Sequence, residues 1–144
     1  MKHFYALIGI ALLFLCPTDL IAQDSNCSNA TPIIINGPCL SNTINDNTAT
    51  APALAGPCPT GSFKRERWYS FSITSGPQNI TITAAASNYN LALQLISETS
   101  SCTGLTQINC ANTTTNNNSS QTETITTTLS NGNYYIKVLN VGTS

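Results

Sequence analysis

Residues 67–74 read RWYSFSIT and residues 79–84 read NITITA, and these two stretches decide the fold class. In the first, Tyr69, Phe71 and Ile73 fall on one face of an extended chain, with Ser70, Ser72 and Thr74 on the other. In the second, Ile80, Ile82 and Ala84 alternate with Thr81 and Thr83. A period of two puts one apolar face on a pleated strand, which a helix of 3.6 residues per turn cannot do. Working outward, residues 90–97 (NLALQLIS) repeat the pattern through Leu91, Leu93 and Leu95, and residues 122–129 through Ile125, Thr127 and Leu129. Asn131-Gly132 is a short hairpin signal, and residues 134–139 (YYIKVL) read as its return strand. Towards the N-terminus, residues 31–35 form a brief apolar strand closed by Asn36-Gly37-Pro38, and residues 43–50 a polar edge strand. Residues 51–62 (APALAGPCPTGS) read as a loop because of their prolines and glycines, and residues 111–121 (ANTTTNNNSSQ) as a mobile polar loop. Threonine suits strands and asparagine suits turns. The reading is all-β: a two-sheet antiparallel β-sandwich, jelly-roll-like, of about eight short strands. No strand follows residue 139 to close such a sandwich, so the domain is expected to be incomplete at its C-terminus.

Only 8% of the 144 residues are charged and the formal net charge is -1. This balance offers no electrostatic footprint for nucleic acid or an anionic membrane. Lys2 and His3 precede an apolar run over residues 4–16 (FYALIGIALLFLC), too short to span a bilayer comfortably and ended by Pro17. Residues 1–22 read as a signal peptide, helical before its removal and cut after Ala22, although Leu20 is larger than usual for its place. A lipoprotein reading would lipidate Cys16, but Leu15 before it is not small. Residues 23–144 are then one exported domain, secreted or held at the cell surface, with no membrane contact once the signal is gone.

Cleavage leaves Cys27, Cys39, Cys58, Cys102 and Cys110 in an oxidising compartment, where cysteines pair rather than bind metal. Cys102 and Cys110 are close in sequence and are expected to pair. Cys27 with Cys39 is the second expected bond, which leaves Cys58 without a partner in the chain. Cleavage also removes His3, the only histidine, and with it the usual Ser–His and Cys–His nucleophile pairs. The spacing of Asp24, Asp46, Glu66, Glu98 and Glu123 suggests no pair of carboxylates held across a sugar. No catalytic residue, metal site or cofactor is expected.

Three residues stand out as possible ligand contacts. Lys64 and Arg65 belong to the one charge cluster, Lys64-Arg65-Glu66-Arg67, which could grip acidic groups but reads more simply as a solvated entry into the next strand. Tyr89, between Asn88 and Asn90 at a strand start, is the aromatic expected to be most exposed. For the adjacent pairs Trp68-Tyr69 and Tyr134-Tyr135, alternation is expected to bury one ring of each.

Taken together, these segments resemble a family. An Asn-Cys-x-x-Ala opening (Asn26, Cys27, Ala30) precedes Trp68-Tyr69-Ser70-Phe71 and a threonine-rich strand. A Cys-x-Gly-Leu segment (Cys102, Gly104, Leu105) and a Gly-x-Tyr-Tyr-Ile-x-Val strand (Gly132 to Val138) follow. The set is similar to the bacterial pre-peptidase C-terminal type of β-sandwich found in large secreted proteins, including those exported by the type IX route. The resemblance implies a non-catalytic module used for adhesion, spacing or substrate targeting, with further domains on the same polypeptide. It also implies that Trp68 anchors the core. A carbohydrate-binding module, or an accessory domain of a secreted protease or glycanase, is the alternative it leaves open, so the expected partner is an extracellular glycan or protein. Relatives carry aspartates after the last cysteine where calcium could bind, whereas Ala111-Asn112-Thr113 here offers no carboxylate.

Overall fold

The computed structural model describes residues 27–38, 65–87, 90–113 and 121–141. Residues 1–22, the stretches 43–50 and 51–62, and Cys39, Cys58, Lys64 and Tyr89 lie outside the described residues, as does the side chain of Arg65.

Among the described residues, a short 3-10 turn, Cys27–Asn29, leads into seven strands: β1 (Thr31–Pro32), β2 (Arg65–Ile73), β3 (Gln78–Ala86), β4 (Leu91–Ser97), β5 (Thr106–Ala111), β6 (Gln121–Leu129) and β7 (Gly132–Asn140). They form a five-stranded sheet in the order β1-β2-β7-β4-β5 and a two-stranded sheet, β3-β6. All pairings are antiparallel except β1 with β2. This is the expected two-sheet β-sandwich, and β5 is a strand the sequence patterning did not single out.

Between the sheets lies a core of Phe71, Ile73, Leu91, Leu93, Leu95, Tyr134, Ile136 and Val138 against Ile80, Ile125 and Leu129. The alternating residues of β2, β3 and β6 point as their period requires. Tyr69, Phe71 and Ile73 face the core, while Thr81, Thr83, Thr124 and Thr126 are exposed on the outer face of the small sheet. There they meet as cross-strand pairs: Thr128 Oγ1 donates to Asn79 Oδ1 at 2.6 Å, and Thr83 and Thr124 hydroxyls lie 3.4 Å apart.

Strands β4 and β7 of the large sheet are covered on both faces. Every residue from Leu91 to Ile96 and from Tyr134 to Asn140 is buried. Trp68, Ile96 and Tyr135 form a second apolar cluster on the outer face, packed by Cys27, Ala30, Cys102 and Leu105. Trp68 is therefore a core anchor, but of this outer cluster and not of the layer between the sheets. Both rings of Tyr134-Tyr135 are buried, one on each face, against the expectation that alternation would bury only one.

Double burial also overturns the hairpin expected at Asn131-Gly132. β6 pairs with β3 in the small sheet, and β7 lies between β2 and β4 in the large one. The six residues of YYIKVL are all buried, the pattern of a central strand, whereas β6 has one solvated face and suits a sheet with one side open. The two strands thus belong to different sheets, and the link between them is an arch across the sandwich.

Candidate functional site

The outer face of the large sheet ends, beside β1, in an open groove of about 310 Å³. Its floor is built by alternation: Ser70 and Ser72 from β2 and Asn133 and Tyr135 from β7 all point away from the inter-sheet core. Pro32 and Ile33 form one wall, held because the Ile33 N–H donates to the Ser70 carbonyl at 2.8 Å. Glu98, just past the end of β4, supplies the one carboxylate of the lining.

Glu98 is set by two donors. Its Oε2 accepts the backbone N–H of Cys102 at 2.9 Å and the Tyr135 hydroxyl at 2.9 Å. The Cys102 N–H reaches it because Cys102 takes a left-handed φ of 61° at the tip of the β4–β5 connection. A disulfide to Cys27 fixes that tip, with Cα atoms 5.6 Å apart. Tyr135 packs edge-on against Trp68, ring centroids 6.0 Å apart, so its hydroxyl is aimed from a rigid base. Ser72 Oγ donates to Asn133 Oδ1 at 2.7 Å, which orients the Asn133 amide. The result is a row of fixed hydrogen-bonding groups with one anionic acceptor, suited to holding a ligand by polar contacts.

The disulfide corrects the expected pairings. Cys102 bonds to Cys27 and not to Cys110, and Cys27 is therefore not bonded to Cys39. Cys110 is disulfide-bonded too, to a partner outside the described residues. The reason is facing. Cys102 sits at the connection's tip under the 3-10 turn, whereas Cys110 lies on β5 in register with Gln94. Sequence proximity ranked the wrong pair because the hairpin separates its tip from its strand.

The charge cluster is also rearranged. Glu66 is buried, not solvated, and its ion pair is with Lys137 of β7. The groove pair Glu98–Tyr135 was missed in the sequence, where 37 residues separate them. The available signal was the apolar triplet Tyr134-Tyr135-Ile136 in β7, which lacks the polar alternation of a strand with one solvated face.

Burial first, then the hydrogen bond to Glu98 and that carboxylate's charge, raise the Tyr135 phenol above its ordinary value of 10.0. The folded chain thus holds this proton more tightly than the unfolded one. The corresponding stability is fully present below about pH 10 and is lost as pH rises through the folded value. Urea unfolding between pH 8 and pH 11 should show stability falling at the alkaline end, with a shallower fall in Tyr135→Phe.

Residues 65–139, more than half of the chain, match the bacterial pre-peptidase C-terminal domain. No curated protein and no solved structure matches the chain. The matched stretch runs from the first residue of β2 almost to the end of β7, so it takes in β2 to β7 and leaves out β1. With the sandwich, the outer tryptophan cluster and this match in agreement, the chain belongs to the bacterial pre-peptidase C-terminal domain family.

Proposed function

We propose that the chain is a non-catalytic recognition module of a secreted or cell-surface bacterial protein. In this reading it holds an extracellular glycan or protein in the Glu98–Tyr135 groove, for adhesion or substrate targeting. The observation that carries the reading is the way Glu98 is held: a half-buried carboxylate fixed by two donors and aimed into an open groove. Such groups recognise rather than react, because a sugar-cleaving site needs a second carboxylate opposite the first. The family match supports it, since its name links the domain to bacterial peptidases, where it would act as an accessory part. Further domains on the same polypeptide, and a type IX route, complete the proposal.

Trp68 bears on the carbohydrate alternative. It is 3% exposed, so it offers no platform on which a sugar ring could stack. Recognition by hydroxyl and amide groups fits the groove better than recognition by aromatic stacking. The test is a binding screen of the domain against extracellular polysaccharides and matrix proteins. For the polymer that binds, Glu98→Gln is expected to weaken affinity about tenfold, the scale of one hydrogen bond to a charged group. Unchanged affinity in a folded variant would exclude the groove.

A further inference from the structure

Farther along the same outer face, the structure holds a lysine amine against a carboxyl group with water excluded. Lys137 Nζ lies 2.6 Å from Glu66 Oε2, and the side chains are 0% and 1% exposed. Trp68 Nε1–H donates to the other oxygen, Glu66 Oε1, at 3.2 Å, and the ammonium sits 5.1 Å from the Trp68 ring centroid. Apart from each other, Lys137 Nζ and Glu66 Oε2 have no hydrogen-bond partner among the described residues, and Gln94, in register beside Lys137, keeps its Oε1 unbonded as well. A sealed ion pair with so few supporting hydrogen bonds is costly, because two charges have left water for one contact. An amide in the same place would carry no charge at all.

We propose that Lys137 and Glu66 condense to an intramolecular isopeptide bond between Nζ and Cδ. The parts needed are present: a nucleophile touching the carboxyl group, a dry site, and an N–H aimed at the oxygen on which charge develops. One ammonium proton crosses the contact to Oε2, leaving an amine and a carboxylic acid. The nitrogen lone pair then attacks Cδ, and Nζ–Cδ forms while Trp68 Nε1–H stabilises Oε1. A second proton moves from nitrogen to the leaving oxygen, Cδ–Oε2 breaks, and one water departs. The step needs no oxidant, reductant or cofactor. Its product ties β2 to β7, two neighbouring strands of the large sheet, and survives reduction of the disulfides.

The test is the intact mass of the full chain, expressed with its signal and purified folded, after reduction and alkylation. The expected mass is lower by one water than that calculated for the signal-cleaved, alkylated chain, with β2 and β7 peptides joined through Glu66 and Lys137 on digestion. Proteolysis should also fail at Lys137. An unmodified mass with both side chains free overturns the proposal, and so does a water or ammonia loss mapped elsewhere, for example to Asn131-Gly132. Both readouts use the unsubstituted chain, so a variant that fails to fold does not affect the outcome. Lys137→Arg, which keeps the charge, should restore the full mass.

Discussion

Replacing Cys27 and Cys102 together by alanine is expected to lower stability by about 4 kcal/mol, the chain-entropy scale for a long loop. The two residues are 75 apart in sequence, so the bond restricts a large part of the unfolded chain. It also acts in the folded state. It holds the 3-10 turn with Ala30 over Trp68, Ile96 and Tyr135, and it fixes the tip whose N–H orients Glu98. Domains of this size are stable by about 5–15 kcal/mol, so the loss should be plain in urea unfolding. The double variant should also bind its polymer more weakly, because Glu98 loses its orientation. A stability change below about 1 kcal/mol would mean that the outer cluster holds without the bond.

Trp68→Ala carries the second large effect, a loss of about 3–5 kcal/mol, as for other buried tryptophans. The substitution empties the centre of the outer cluster, removes the edge-on partner of Tyr135 and takes the N–H from Glu66 Oε1. Trp68→Phe should fall between, keeping a ring but losing the donor, at about 1–2 kcal/mol. Thr124→Ala, at an exposed position on β6, should change stability by less than about 0.5 kcal/mol. Denaturant midpoints for the three variants would rank them. Trp68→Ala no worse than Thr124→Ala would contradict the placement of Trp68 in a covered face.

How much of this was legible in the sequence follows from which strands have one open side. β3 and β6 show their facing in plain alternation, because solvent on one side keeps Thr81 and Thr124 polar, and β2 shows it only at its end, where Ser72 is exposed. β7 loses that signal, since both faces are buried and its period disappears into YYIKVL. The hairpin expectation failed there. Turn chemistry at Asn131-Gly132 marks a reversal of the chain but does not say which sheet receives the next strand. The disulfide was misassigned for a related reason, because nearness in sequence carries no information about the covering layer. The groove was hidden altogether. Ser72 on β2, Glu98 after β4 and the β7 residues Asn133 and Tyr135 come from separate segments that only the β4–β7 and β2–β7 pairings bring together.

The most direct test of the recognition reading is an amide footprint. The domain would be titrated with the polymer found in the screen, and backbone chemical shifts followed residue by residue. Perturbations are expected at Ser72, Glu98, Asn133 and Tyr135, saturating together with a single affinity. Shifts confined to the threonine-bearing outer face of β3 and β6, or none beside the groove, would contradict it.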